Sequence, residues 1–205
     1  LTMPYVQLPN DQSSFPGNWR VITMGNYLNE PLVFLIEVLF GVYILVVMLR
    51  FFFQLFRVDF YNPLSQTIVK VTNPPLRALR RFIPSIGKID TSSLVLMLAL
   101  QFIALVLISL VVGAKIALVA LLYLSIVELF NQAFNLFIFA IIILALLSWV
   151  SSPYHHNPIA PILEQLTRPV MKPARRLLPP MGGIDLSPML ALIALFFFKL
   201  LLIPP

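Results

Sequence analysis

One apolar run limits the possible folds of this chain more than any other feature. Residues 94–112 carry no charge and are interrupted only by Gln101 and Ser109, so the run is long enough for a transmembrane helix of about 20 residues. Charged residues make up 11% of the 205-residue chain, whereas they make up about a quarter of a soluble domain. The sequence therefore predicts an all-α, polytopic membrane protein.

The apolar segments predict about four transmembrane helices, over residues 31–53, 94–112, 134–150 and 188–203. The segment 116–150 is too long for one ordinary span, because its 35 residues would extend over about 50 Å. We expect it to divide into an interfacial or partial span followed by the third helix. The expected break is a polar cluster formed by Glu128, Asn131, Gln132 and Asn135.

An internal repeat aligns two loops at a constant offset of 95 residues. Both loops carry Asn-Pro, Thr-x-Pro and Arg-Arg pairs, followed by Pro-x-x-Gly-x-Ile-Asp-x-Ser. The repeated positions are Asn62, Pro63, Thr72, Pro74, Arg80, Arg81 and Asp90, which match Asn157, Pro158, Thr167, Pro169, Arg175, Arg176 and Asp185. Such periodicity predicts duplicated structural units.

The repeat divides the chain into three regions. Residues 1–30 form a polar extension that we expect to be disordered. Residues 31–112 form a first repeat with two spans, and residues 113–205 form a second repeat with the partial span and two further spans. Each repeat is read as helix, basic amphipathic loop, helix, with both copies in parallel orientation.

Each loop is predicted to begin with a short amphipathic helix. Asn62 is a favourable N-cap and Pro63 a favourable first residue, and proline is expected to end each helix at Pro74 and Pro169. Two settings stay open, since the apolar face could lie in the lipid head groups or pack against the bundle. The expected apolar faces are formed by Leu64, Ile68 and Val71, and by Ile159, Ile162, Leu163 and Leu166.

The end of each loop offers caps and charge pairs. Ser92 or Asp90 is suited to cap the second span, and Ser187 before Pro188 is suited to cap the fourth. A second interpretation pairs each aspartate with the arginines upstream of it, which would close each loop. The candidate pairs are Asp90 with Arg80 or Arg81, and Asp185 with Arg175 or Arg176.

The net charge of +6 is concentrated in these loops. They contain most of the 14 lysines and arginines, namely Lys70, Arg77, Arg80, Arg81 and Lys88, and Arg168, Lys172, Arg175 and Arg176. Clustering beside apolar helices predicts that both loops face the cytoplasm and contact anionic lipids. It argues against binding to nucleic acid, which would need basic residues spread over a polar surface.

The doubled motif is similar to that of the YggT (also called YlmG) family. The resemblance covers about residues 31–203, although Thr91 and Ser93 in the first copy stand where the second has Leu186 and Pro188. It implies a small integral protein of the bacterial cytoplasmic membrane. In bacteria the family is associated with osmotic tolerance, ion balance or envelope and division functions, and in plastids with assembly of a membrane cytochrome complex.

Catalytic and cofactor motifs are not apparent in the sequence. The chain has no cysteine and no glycine-rich nucleotide loop, and the adjacent His155 and His156 have no third ligand at standard spacing. We therefore expect neither an enzyme nor a bound cofactor or metal.

Two functions remain. The first is a scaffold or assembly factor that binds lipid, another membrane protein or a second copy of itself through the basic loops. The alternative is a subunit of an ion channel or transporter, with Glu37 and Glu128 on an intramembrane polar path.

Overall fold

The computed structural model describes residues 19–85, 89–150, 159–178 and 185–203. This part of the chain is helical, which confirms the all-α prediction. Its helices are α1 (Trp19–Phe56), α2 (Pro63–Arg80), α3 (Thr91–Val112), α4 (Leu118–Val150), α5 (Ala160–Leu177) and α6 (Ser187–Leu202).

Three of these helices contain segments long and apolar enough to cross a membrane: Asn29–Phe56, Thr91–Val112 and Leu118–Ser148. α6 is equally apolar in character but has only 16 residues. Large apolar side chains such as Phe34 and Leu110 are exposed on these helices, as expected where lipid is the solvent. The predicted fourth span is therefore the short α6.

The two repeats use the same packing scheme. α1, α2 and α3 pack against one another, and α4, α5 and α6 do the same. Their cores are equivalent in part, since Leu76 and Leu96 of the first repeat match Met171 and Ala191 of the second, and all four are buried. A third apolar cluster joins the repeats through α1, α2, α4 and α5.

The first helix starts earlier than predicted. α1 begins at Trp19 and passes through Pro31, so residues 19–30 are helical and the prediction of disorder is wrong for them. Extending an existing helix is inexpensive, because each added residue gains one backbone hydrogen bond without a new nucleation step. Residues 1–18 lie outside the described part of the chain.

The predicted break in the third apolar segment is also wrong. α4 is one helix of 33 residues, and it contains neither proline nor glycine. Its polar side chains find partners without interrupting the backbone. The Gln132 amide donates to Gln101 Oε1 at 3.3 Å, and the Lys199 ammonium donates to Asn135 Oδ1 at 2.7 Å.

Both loop helices continue through the prolines that were expected to end them. α2 and α5 have 18 residues each, with Pro74 and Pro75 inside the first and Pro169 and Pro173 inside the second. A proline removes one helical hydrogen bond. None of these prolines is buried, so the carbonyl groups without helical partners can bind water or lipid head groups.

Candidate functional site

The start of α2 follows the sequence prediction. The Asn62 side chain accepts a hydrogen bond from the backbone N–H of Leu64 at 3.0 Å, and Pro63 is the first helical residue. The cap fixes where the helix begins and therefore which of its residues face the bundle. The matching Asn157 and Pro158 lie outside the described residues.

The buried face of α2 differs from the predicted one. Ser65, Ile68 and Thr72 are buried, whereas Leu64 is 44% exposed and Val71 is 49% exposed. Small polar residues can face the bundle where their hydroxyl groups bond to helix backbone, as Thr72 does to the Ile68 carbonyl at 2.7 Å. Hydropathy alone therefore placed Ile68 correctly on the buried face and placed Leu64 and Val71 there wrongly.

α5 also packs against the bundle. The predicted residues Ile162 and Leu166 are buried, and so is Thr167, which was not predicted. Of the other two predicted residues, Ile159 is 43% exposed and Leu163 is half-buried. The Thr167 hydroxyl donates to the Leu163 carbonyl at 2.8 Å, which repeats the Thr72 contact at the same offset. Of the two settings left open, the structure favours packing of both helices on protein.

The structure forms one predicted ion pair in each repeat. Arg80 binds Asp90 through its Nη2 atom, and Arg175 Nε lies 3.3 Å from Asp185 Oδ2. Each pair connects the end of a loop helix to the start of the following span. Both loops are therefore closed by the arginine that comes first in its Arg-Arg pair.

The two pairs differ in their environment. The Asp90 side chain is fully buried, whereas 35% of the Asp185 side chain is exposed. Burial alone would raise the pKa of Asp90, but hydrogen bonds from Arg80 and Ser93 outweigh burial and hold this pKa below its usual value. At Asp185 burial alone would likewise raise the pKa, but the backbone N–H of Ser187, at 2.9 Å, and the charge of Arg175 contribute to holding this pKa below its usual value.

The repeated serines join helices and do not cap them. The Ser92 hydroxyl donates to the Ile83 carbonyl at 2.7 Å, and the Ser187 hydroxyl donates to the Leu178 carbonyl at 3.0 Å. Asp90 occupies the N-cap position of α3, but Leu186 occupies that of α6. The expected Ser187 cap is wrong because its hydroxyl is used to hold the end of α5.

Arg50 belongs to the same site, although the repeat motif does not contain it. This buried residue of α1 donates from Nη1 to the Val69 carbonyl at 3.0 Å and to Thr72 Oγ1 at 2.7 Å. A single cation inside an apolar run was the available signal, because intramembrane charges are rare and usually have a specific partner.

Other cations of α2 and α5 point away from the bundle. We call these exposed residues the basic surface; they are Lys70, Arg77, Arg81, Arg168, Lys172 and Arg176. Their spacing of four or seven residues within each helix places them on one stripe of that helix. The paired Arg80 and Arg175 have a different role from their neighbours Arg81 and Arg176.

A cavity of about 440 Å³ opens beside α5. Its cationic wall is formed by Arg168, Lys172, Arg175 and Arg176, and its other walls include Leu144 and Thr167. The cavity therefore connects the basic surface of the second repeat with the half-buried Leu144 of α4 and with buried side chains of α5.

The two glutamates proposed for an intramembrane path have different surroundings. Glu37 is exposed on α1, while Glu128 is half-buried on α4 and accepts hydrogen bonds from Asn131 Nδ2 at 3.3 Å. Among the described residues the two carboxylates do not share a hydrogen-bond network. The intramembrane contacts instead involve Gln101 with Gln132 and Asn135 with Lys199.

A family model for CCB3/YggT matches the chain twice, over residues 29–111 and 123–205. The chain belongs to the CCB3/YggT family. The two matched segments correspond to the two packed units of the structure, so the YggT repeat is both a sequence unit and a structural unit. The resemblance read from the doubled motif is thereby confirmed.

Relatives of similar length support the same assignment. A protein of Pseudomonas aeruginosa is 43% identical over 178 residues, covering 86% of this chain and 90% of the relative. The YggT protein of Escherichia coli K12 is 40% identical over 172 residues, covering 83% and 88% respectively. A Vibrio alginolyticus protein is 41% identical over 173 residues, covering 82% and 91%. No solved structure matches the chain.

Proposed function

We propose that this YggT family protein is a non-enzymatic scaffold or assembly factor of the bacterial cytoplasmic membrane. Its basic surface faces the cytoplasm and contacts anionic lipid together with another membrane protein. The observation that carries the proposal is that the two neighbouring arginines of each loop have different contacts. Arg80 and Arg175 close the loops, while Arg81 and Arg176 remain exposed.

Rigidity supports a role in binding. α2 is held to α1 and α3 by the buried contacts of Thr72 and Asp90, so its exposed cations project from a helix whose position is fixed. Fixed cations lose little conformational freedom when they bind an anionic surface. Their location beside membrane helices also agrees with the excess of lysine and arginine on cytoplasmic loops.

This function needs no cofactor and no catalytic group. The family resemblance adds the expectation that the assembled partner affects osmotic or envelope homeostasis. The test is a variant in which four exposed cations are neutralised while both ion pairs are kept. Its substitutions are Arg77→Gln, Arg81→Gln, Lys172→Gln and Arg176→Gln.

The measurement is recovery of cross-linked proteins from cell membranes, quantified by mass spectrometry. We expect the wild-type chain and a Lys115→Gln control to recover the same membrane-protein partner, and the fourfold variant to lose it. Lys115 is a suitable control because it lies between α3 and α4, away from the basic surface. Equal recovery by all three proteins would contradict the scaffold role.

The alternative is a subunit of an ion channel or transporter. It is favoured by one observation, namely that polar side chains of the apolar helices form two pairs, Gln101 with Gln132 and Asn135 with Lys199; polar groups inside a membrane often mark ion pathways. Under this alternative Glu37→Gln or Glu128→Gln reduces ion flux into proteoliposomes. Flux that both variants leave unchanged would exclude a path through these carboxylates.

A further inference from the structure

The space that the Arg50 side chain occupies in the first repeat has an equivalent space in the second repeat. Arg50 binds the backbone of Val69 and the hydroxyl of Thr72. At the repeat offset these residues become Glu164 and Thr167. Both of the latter line the cavity beside α5.

The second repeat has no arginine to fill this place. α4, the counterpart of α1, contains neither lysine nor arginine. The buried residues Ile44 and Val47 of α1 are equivalent to the buried Ile138 and Ile141 of α4. In this alignment, which is shifted by one residue from that of the loops, Arg50 is equivalent to Leu144. Leu144 also lines the cavity. The two repeats therefore have the same helix packing, but the space filled by the Arg50 guanidinium in the first repeat is an open cavity in the second.

The lining of the open cavity favours an anion with an apolar attachment. Its four cations, Arg168, Lys172, Arg175 and Arg176, outnumber the single carboxylate of Glu164. Arg175 is partly neutralised by Asp185, which still leaves an excess of positive charge. On the opposite side, Leu144 and Met171 provide an apolar wall. Arginine and lysine are the usual partners of phosphate oxygens.

We infer that this cavity binds the phosphate group of an anionic phospholipid, with the lipid chains leaving along α4. The inference rests on the proposed function, because it assumes that the basic surface lies at the level of the lipid head groups. It adds one phospholipid seated in a cavity of the second repeat to the general contact of the basic surface with lipid. In the first repeat Arg50 binds the equivalent groups of α2, and the opening beside α2 is smaller, about 240 Å³, with Lys70 as its lining cation.

The test compares two variants that lose the same charge at equivalent positions. Lys172→Gln with Arg176→Gln alters the cavity, and Arg77→Gln with Arg81→Gln is its matched control in the first repeat. Each purified full-length protein is titrated with phosphatidylglycerol in detergent, and bound lipid is measured by native mass spectrometry. We expect the cavity variant to bind about tenfold more weakly and the control to change less than about twofold.

A second pair of variants separates the effect of the cavity's shape from the effect of its positive charge. Leu144→Trp fills the cavity without changing any charge, and Leu146→Trp adds the same ring on the exposed side of α4. We expect only the first to lose lipid binding. Equal weakening by both charge variants, or binding unaffected by Leu144→Trp, would overturn the inference. Circular dichroism of all four proteins verifies that they are folded.

Competition with inorganic phosphate identifies the source of the phosphate group. We expect millimolar phosphate to leave phosphatidylglycerol bound, since phosphate lacks the apolar part that contacts Leu144 and Met171. Displacement of the lipid by phosphate at similar concentrations would overturn the lipid assignment. These experiments contain no partner protein, so the two proposals can fail separately. Equal partner recovery by all variants with lipid bound in the cavity would contradict only the scaffold role. Partner loss in the fourfold variant without lipid binding in the cavity would contradict only the lipid site.

Discussion

The two YggT repeats form the same contacts but differ in how tightly these contacts are enclosed. Thr72 and Thr167, and likewise Ser92 and Ser187, donate to carbonyl groups at matching positions. In the first repeat Arg50 adds a bridge from α1 to α2. In the second repeat that place is a cavity. Two copies of one repeat can thus keep the same hydrogen bonds while the space between their helices is filled in one copy and accessible in the other.

The ion pairs show the same contrast. The Asp90 carboxylate is buried and lies close enough to Arg50 for their charges to interact. Asp185 is partly exposed and has no arginine of α4 near it, because α4 carries none. The same pair of residue types at equivalent positions can therefore differ in interaction energy, since solvent screens the second pair more strongly. The predictions below test this difference.

The largest effect is expected for Arg80→Gln. This change leaves the buried Asp90 carboxylate without its cation, which should lower the free energy of unfolding by about 3 kcal/mol. The matched Arg175→Gln change should cost less than about 1 kcal/mol, because its pair is exposed to solvent. Unfolding in mixed detergent micelles, followed by circular dichroism, measures both. Similar losses would contradict the difference in burial.

The same pairs predict a loss of stability in acid. The folded pKa of Asp90 lies below the unfolded value of about 4, so the ionised carboxylate stabilises the fold fully above pH 4. This contribution is lost as pH falls through the folded pKa. Thermal unfolding between pH 3 and pH 7 should show the loss in wild type and in Asp185→Asn, and a smaller pH dependence in Asp90→Asn. An unchanged pH profile of Asp90→Asn would assign acid sensitivity elsewhere.

Arg50→Leu is expected to convert the first repeat toward the second. It removes two hydrogen bonds from a charged donor and opens space beside Thr72, with an expected loss of about 2 kcal/mol. Leu144→Ala, at the equivalent position, should cost about half as much because Leu144 already borders a cavity. The same unfolding assay compares them. A larger loss for Leu144→Ala would contradict the equivalence of the two positions.

The smallest effects should be equal in the two repeats. Ser92 and Ser187 are both fully buried and each donates one hydrogen bond to the end of a loop helix. Replacing either by alanine should cost about 1 kcal/mol. Unequal costs in the unfolding assay would indicate that the shared frame differs energetically at this point as well.

The sequence was sufficient for features that local chemistry determines. The repeat, the apolar character of the helices and the Asn62 cap follow from residue types at fixed spacing. An Arg–Asp pair in each loop also follows, although the spacing did not decide which arginine forms it. The ends of α2 and α5 were not predictable in this way, because proline inside a helix is tolerated where the freed carbonyl faces solvent or head groups. The continuity of α4 likewise depends on partners such as Gln101 and Lys199, which come from other helices.

Hydropathy also failed to identify the most informative part of the site. It chose Leu64 and Val71 for the buried face of α2, where the structure has Ser65 and Thr72. For Thr72 the reason is that Arg50 supplies a polar partner from a helix that is distant in sequence. A buried polar stripe becomes predictable only when its partner on the opposite helix is known.

The unequal lengths of α4 and α6 have a mechanical consequence. The apolar part of α4 has 31 residues and α6 has 16, and the two helices pack against each other. At 1.5 Å per residue these lengths are about 46 Å and about 24 Å, while the hydrocarbon core is about 30 Å thick. No single bilayer thickness fits both helices upright. We expect the long helix to tilt or the membrane to thin beside the short one, which would make the second repeat the part of the molecule most sensitive to bilayer thickness.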